Sequence, residues 1–392
     1  MFQAIFNSLS GMFSFSRSLN TVSNNVTNMN TPGFRGSDSF FSNIGGGRGT
    51  QIAGEGLRSR NGDIRETRNE THLAIDGSGY FVLADEAGNT YYTRAGEFRF
   101  DDEGILVDTV SGHRVMAFGG NGALTVIDRD EYRLLPAQPT TRINVVGNLP
   151  RPQDSTSAPA TTPVNSIVVY DATGATHNLT ISFTSNPSVS RQIFSVTITN
   201  AGGATVGTGE VRFDDNGRLL AGYTTVNATL QAGGASQTIA FDFGAAGGGP
   251  NEAMTSFSGN ASLQANVTDG HGVLGLRELK FTDKGVMEFI YSDSQKRTGP
   301  QIALASFPND SGRTLASGRL IAGVVASARD IGRPGEVGFG SIVGRSLELS
   351  NVDLTQEFAD MIIIQRGYQA SSRVMSVGNE MLEQLYNSTR GG

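Results

Sequence analysis

Residues 350–390 read SNVDLTQEFADMIIIQRGYQASSRVMSVGNEMLEQLYNSTR. Every seventh residue from Leu354 is apolar or aromatic: Leu354, Met361, Tyr368, Met375 and Leu382. The alternate seam positions, Phe358, Gln365, Ser372, Asn379 and Tyr386, are mostly polar. A second apolar stripe runs Ile363, Ala370, Val374, Val377, Met381, Leu385. A helix with two apolar stripes needs two neighbours. Ser350 and Asp353 are N-cap candidates, and Asp353 with Gln356 approximates a capping box. No Pro interrupts the run, and its only glycines are Gly367 and Gly378. The spacing predicts a helix of about 30 residues, roughly 45 Å long.

Residues 2–29 mirror that end. Phe2, Ile5, Leu9, Met12, Leu19 and Val26 follow a three–four spacing, with Ser16 and Ser23 at the missed positions. Phe6 and Phe13 thicken the stripe. Two heptad-like ends are expected to form a coiled coil with each other and to leave apolar surface over.

Composition narrows what lies between. The 392 residues allow two to four domains, and the net charge of −7 comes with scattered basic residues. Nothing reads as a nucleic-acid footprint. Glycine occurs 51 times, nearly twice the usual share of about 7%, and only 17% of residues are charged. This suggests turn-rich β structure with a neutral polar surface. There is no Cys, hence no disulfide, zinc–thiolate site or cysteine nucleophile. The first residues do not read as a secretory signal, and no apolar run of membrane-spanning length occurs. Export by a dedicated route, without a cleaved signal, is the expectation.

Residues 23–35, SNNVTNMNTPGFR, read as a helix stop followed by a turn. Asn24, Asn25, Asn28 and Asn30 offer side chains to the backbone, and Thr31-Pro32-Gly33-Phe34 makes the turn. This stretch resembles a signature of the bacterial flagellar axial proteins, the rod, hook and hook-associated family. The closing stretch resembles the same family's other signature. It does so through Ser350-Asn351-Val352-Asp353-Leu354, Glu357, Met361-Ile362, Gln365-Arg366, Tyr368-Gln369-Ala370 and Met381-Leu382.

Residues 36–70 are Gly- and Arg-rich, with Arg48, Arg58, Arg60, Arg65 and Arg68, and read as a long linker or extended hairpin. Residues 71–149 alternate short β-like runs with Gly and Asp turns, among them Tyr80–Leu83, Tyr91–Arg94 and Ile105–Val107. LAIDGSGYF, YTRAGEF and GILVD within this block also resemble the axial family. Asp101-Asp102-Glu103 and Asp214-Asp215-Asn216 lack the ligand spacing of an EF-hand and read as turns. A Pro/Ser/Thr-rich connector at 150–163 opens a second β region running to 274, a barrel or sandwich. Residues 275–349 return to the first β domain. The expected fold is therefore mainly β with terminal α-helices: a helical domain (1–30 and 350–392), a linker or hairpin (31–70), an inner β domain (71–149 and 275–349) and an inserted outer one (150–274).

Catalytic patterns are not apparent. His72, His113, His177 and His271 are scattered, and no H-E-x-x-H, G-x-S-x-G or Walker pattern occurs. Asp269-Gly270-His271-Gly272 reads as a polar turn. No enzyme, cofactor or metal is expected. The resemblance implies a structural subunit of hook type, self-assembling into a flexible curved tube that carries torque from rod to filament. Its implied partners are further copies of itself, a distal rod protein, hook–filament junction proteins, a hook cap during assembly and the flagellar export apparatus. No nucleic acid or membrane insertion is implied. The location implied is the extracellular flagellum. The terminal helices would be disordered in the free subunit and order on incorporation. Implied interface residues are Phe2, Ile5, Leu9, Met12, Leu19, Asn24, Asn25, Asn28 and Asn30–Phe34 at the first end. At the second they are Asn351–Leu354, Phe358, Met361, Gln365, Arg366, Tyr368, Gln369, Met375 and Leu382. The alternatives are a distal rod protein, which would lack the second β domain, and a secreted β-rich adhesin or hydrolase with ordered ends.

Overall fold

The computed structural model describes residues 2–46, 49–232, 235–249, 252–307, 314–317, 319–324 and 326–390; Arg48 lies outside them. The chain divides into two compact units, one made of Met1–Tyr132 with Arg277–Gly392 and the other of Arg133–Leu276. The fold is mainly β with a helix at each end.

In the first unit, helix α1 (Phe2–Thr27) is followed by a hairpin of strands β1 (Ser37–Asn43) and β2 (Thr50–Leu57). The chain then enters a large mixed-order antiparallel sheet. Among the described residues its main path runs Glu278–Phe281, Val286–Ile290, Lys296–Ile302, Arg114–Phe118, Tyr80–Ala84, Thr90–Thr93, Leu320–Ala322, Thr314–Ser317. Outgoing and returning segments thus alternate in one sheet, which brings the two ends of the chain back together. Its core is built from Val82, Tyr92, Ala303, Ala305 and Ile321, and Phe81 meets Phe98 edge-on at 5.0 Å. Two short ladders lead to the second helix: Ser341–Gly344 pairs with Leu73–Asp76, and Ser346–Glu348 pairs with Ile64–Glu66. Helix α2 (Leu354–Arg390) follows and is 37 residues long, longer than the apolar spacing alone predicts. Its last residues, 387–390, lie beyond both stripes.

The second unit is two sheets closed on one core. Thr161–Tyr170, Thr176–Asn186, Ser190–Asn200 and Thr205–Arg212 form an antiparallel meander. The other sheet holds Thr225–Ala232, Ala235–Asp242, Arg142–Asn148 and Met254–Thr255, with Gln264–Val267 paired to Arg142–Asn148. Alternation is strict where it matters: Leu179, Ile181 and Phe183 are buried and the intervening Thr180, Ser182 and Thr184 are half-buried. The acidic turns cap themselves. Ile105 N donates to Asp101 Oδ1 and Arg218 N to Asp214 Oδ1, both at 2.8 Å.

The turn at Asp171 is the tightest of these. Its carboxylate accepts from Thr173 Oγ1 (2.6 Å), Thr173 N (2.8 Å) and Ala175 N (3.0 Å), and His177 Nε2 lies 2.9 Å away. The Thr173 hydroxyl, with His177, holds the carboxyl well below the usual carboxylate range. A depressed folded pKa contributes stability above the unfolded value, about 3.9, and loses it as pH falls. Urea unfolding of the Asp171→Asn variant is therefore expected to show a shallower loss of stability below about pH 4 than the parent. An equal slope in both would assign the acid sensitivity elsewhere.

Candidate assembly site of the terminal helices and their junction

The two helices run antiparallel. Close approaches pair Ile5 with Gly378, Gly11 with Ser371, and Phe15 with Gly367, one number rising as the other falls. The small residues make the approach possible: a Cβ at Gly367 would lie 2.6 Å from Phe15 Cζ, and one at Gly378 2.8 Å from Ile5 Cγ1.

The buried face of α1 is not its apolar one. Ser8, Gly11, Ser14, Ser18, Thr21, Val22 and Asn25 are buried, whereas Phe2, Phe6 and Phe13 are 68%, 63% and 68% exposed. The expected seam residues Ile5, Leu9, Met12 and Leu19 are half-buried, flanking the small-residue face. The reason is the hairpin laid across α1. Ser14 Oγ donates to the Thr50 carbonyl (3.0 Å), Thr50 N donates to Ser10 Oγ (3.3 Å), and Ser39 Oγ donates to Thr21 Oγ1 (2.9 Å). Asn25 closes the seam with a reciprocal pair to Ser37, N–H and C=O both at 2.9 Å. Short hydroxyl side chains satisfy the edge of the hairpin where larger ones would hold it away. The three–four recurrence Ser8, Gly11, Ser14, Ser18, Thr21, Asn25 was the signal in the sequence for this face; sequence reasoning keyed on the apolar stripe and passed over it.

At the base of the helices the two sequence signatures interlock. α1 ends as Asn28 N donates to the Asn24 carbonyl (3.1 Å) and Thr31 N to that of Asn28 (3.0 Å). Gly33, at φ +68°, then donates its N–H to the Glu348 carbonyl at 2.8 Å. Phe34 is buried beside this turn. Asn351 accepts from Gly36 N (2.8 Å) and donates to the Arg60 carbonyl (2.6 Å). Asp353 caps α2, accepting from Thr355 N at 2.8 Å; that bond and one from Gln356 N hold its carboxyl below the ordinary range.

Two buried carboxylates sit in this junction, and neither was singled out for its charge in the sequence. Glu357 is fully buried in the first turn of α2; it accepts from Asn25 Nδ2 at 3.1 Å and pairs with Arg58 at 2.7 Å. Arg58 also grips Asp38 at 2.8 Å. Burial works against the Arg58 charge, but the bonds to Asp38 and Glu357 outweigh it and raise its pKa. Arg58 thus ties the hairpin to α2, and Glu357 ties α2 to Asn25 of α1. Glu348 pairs with Arg94 at 2.6 Å, and both are almost wholly buried.

The remaining sequence-derived interface residues divide by exposure. Asn24, Asn30, Asp353, Phe358, Gln365, Arg366, Tyr368 and Gln369 are exposed; Asn28, Thr31, Pro32, Asn351, Val352, Leu354, Met361, Met375 and Leu382 are half-buried. The second stripe of α2, Ile363, Ala370, Val374, Val377, Met381 and Leu385, is exposed throughout. The arrangement is a fastened helical pair with two uncovered apolar faces, and it supplies surface rather than reactive groups.

Four family descriptions match along the chain in order. They are flagella basal body rod protein (residues 5–35), flagellar hook protein FlgE/F/G D1 domain (74–157), flagellar basal body protein FlaE D2 domain (135–271) and flagellar basal body rod FlgEFG protein C-terminal (343–388). The flagellar hook protein FlgE of Brucella suis is 29% identical over 399 residues, covering 97% of this chain and 98% of that one. That of Treponema pallidum is 27% identical over 465 residues, covering all of both chains, and that of Salmonella typhimurium 26% over 407, covering 97% and 98%. The crystal structure of Helicobacter pylori flagellar hook protein FlgE2 is similar at a TM-score of 0.48 and 14% identity, over 72% of this chain and 100% of that one. With matched segments from residue 5 to residue 388 in one order, and relatives alike over their full length, the chain belongs to the flagellar hook protein family.

Proposed function

We propose that this subunit polymerises head to tail through its terminal helices, building a flexible curved tube that carries torque between rod and filament. As a member of its family the chain is a structural subunit of the flagellar hook, and not an enzyme. The observation that carries the assembly reading is the helical pair itself. Its own contacts are made largely by small and polar side chains of α1, and Phe2, Phe6 and Phe13, with the second stripe of α2, are left facing outward. Burying each such Phe, Leu or Met gains about 1.5–3 kcal/mol, so a handful per interface offsets an association cost of order 4–15 kcal/mol. An interface between two different patches does not close on itself, and open helical polymers follow from it. The distal rod, the hook–filament junction, the cap and the export apparatus are the neighbours this reading assigns at the two ends of such a tube and during its growth.

Electron microscopy of the purified, polymerised chain tests the proposal. A curved tube is expected; a straight rod or no polymer would overturn it. Leu354 and Met361 are half-buried within the chain, so charges placed there would disturb its own fold. Phe358 (51% exposed) and Tyr368 (42% exposed) are cleaner probes. Phe358→Asp and Tyr368→Asp are expected to leave circular dichroism and melting unchanged and to raise the critical concentration for assembly roughly tenfold or more, about 1.4 kcal/mol per decade. Unimpaired tubes from both variants would remove this seam from the interface.

A further inference from the structure

Three exposed apolar residues on each helix share one spacing in mirror order. On α1 they are Phe2, Phe6 and Phe13, separated by four and seven positions; on the second stripe of α2 they are Leu385, Met381 and Val374, again separated by four and seven. At about 100° per residue the three phenylalanines fall within about 40° of one another, on the side of α1 opposite Gly11 and Ser18. They therefore point away from their own α2. Val374, Val377 and Met381, with Ala4, Arg373 and Gly378, line an open and mainly apolar groove of about 520 Å³ along the helical pair.

Resting on the assembly reading above, we infer that the groove receives the phenylalanine row of a second copy, Phe2 against Leu385, Phe6 against Met381 and Phe13 against Val374. Three features select this occupant. The row and the groove lie on different faces, so one chain cannot satisfy both and a copy at each side must. α1 and α2 are antiparallel within the chain, so copies related by a screw operation offer α1 antiparallel to a neighbour's α2, the direction the mirrored spacing requires. The one charge on α1, Arg17, falls opposite Ala370 in this register, one turn beyond the last of the three contacts, so the phenylalanine faces are what the row offers to Arg373. Spacings of four and seven are those by which knobs meet holes on paired helices. The intrachain contacts pair residues whose numbers sum to about 382, as Gly11 with Ser371 does. The proposed contacts sum to 387, a register offset of about five residues, or roughly 7.5 Å along the helix.

The chain has no cysteine, which makes the register directly readable. Single-cysteine variants F6C and M381C are mixed, doped into an excess of the parent chain so that polymer forms regardless, and oxidised mildly; F13C with V374C is run alongside. Disulfide-linked heterodimers in both pairs, enriched about tenfold or more over the unassembled mixture, are expected from the raised local concentration. The offset pair F6C with V374C, displaced by roughly 10 Å along the helix, is expected to stay unlinked. Polymer with no linkage in the matched pairs, or with only F6C–F6C and M381C–M381C homodimers, would overturn the inference and leave the assembly reading standing. Absence of polymer from the parent chain alone would overturn that reading and the inference with it.

Discussion

Replacing Glu348 by alanine is expected to cost the first unit about 3–5 kcal/mol, the range for stripping one partner from a buried ion pair. Glu348 and Arg94 have side chains 2% and 1% exposed. Arg94 donates Nε–H to Glu348 at 2.6 Å and three of its other four N–H groups to the carbonyls of Ile75 (2.9 Å), Gly77 (3.0 Å) and Gly79 (2.5 Å). Burial pulls the Arg94 pKa down, and the Glu348 charge is the main influence opposing it. The same carboxylate accepts Gly62 N at 3.0 Å and stands 3.5 Å from Arg35. In Glu348→Ala the guanidinium keeps its carbonyls and loses its counter-ion, and the Gly62 amide loses its acceptor. Urea unfolding followed by circular dichroism should show the loss, with a melting temperature lower by roughly 10 °C for a unit of this size. Glu348→Gln keeps the acceptor and should lose less. Arg94→Met combined with Glu348→Leu removes both charges and should recover only part of the loss, because the Ile75, Gly77 and Gly79 carbonyls and the Gly62 amide are left without their partners. A single variant within about 1 kcal/mol of the parent would mean that water reaches the pair.

How far the sequence announces this architecture depends on the range of the contacts. The α2 stripes were legible because a helix repeats its own neighbours every three or four residues, and the start at Asp353 because a cap is a local bond. Leu179, Ile181 and Phe183 were legible in the same way, through a period of two. The Ser–Gly–Ser face of α1 carries a helical period as clear as any, yet serine in a helix ordinarily faces water. Only the hairpin strand beside it turns those hydroxyls into a buried seam. The Arg94–Glu348 pair joins residues 254 positions apart, and Asn25–Glu357 residues 332 apart. No local pattern encodes such partners. A charged residue next to a signature motif is equally compatible with a solvated surface, and only the return of the chain through the sheet brings the groups together.

Gly33→Ala is expected to cost about 3–5 kcal/mol, although it adds one methyl group. Gly33 sits at φ +68°, where an L side chain costs roughly 1–2 kcal/mol through its clash with the backbone. The new Cβ would stand 2.6 Å from both the Ala95 Cα and the Arg94 carbonyl carbon and would press on the Ala95 amide. All three are backbone atoms, and no rotamer change relieves them. The neighbouring segment cannot yield cheaply, because Arg94 is held by Glu348 and the Leu73 amide is bonded to the Gly96 carbonyl at 3.0 Å. The strained turn must move instead, and it then gives up the 2.8 Å bond from Gly33 N to the Glu348 carbonyl that moors the end of α1. Overpacking of this kind costs a further 1–3 kcal/mol or so. Limited proteolysis should find residues 28–36 newly cleavable in Gly33→Ala, with the fragments separating α1 from the sheet. Gly45→Ala is the control: a Cβ there meets nothing within 4 Å. The smaller entropy of its unfolded chain makes it neutral or stabilising by about 0.4–1 kcal/mol. Equal stability of the two variants would show that the turn at Gly33 can adapt. A loss confined to Gly33→Ala would show that the turn in the first signature and the strand before the second are a single rigid joint, the mounting from which both terminal helices project.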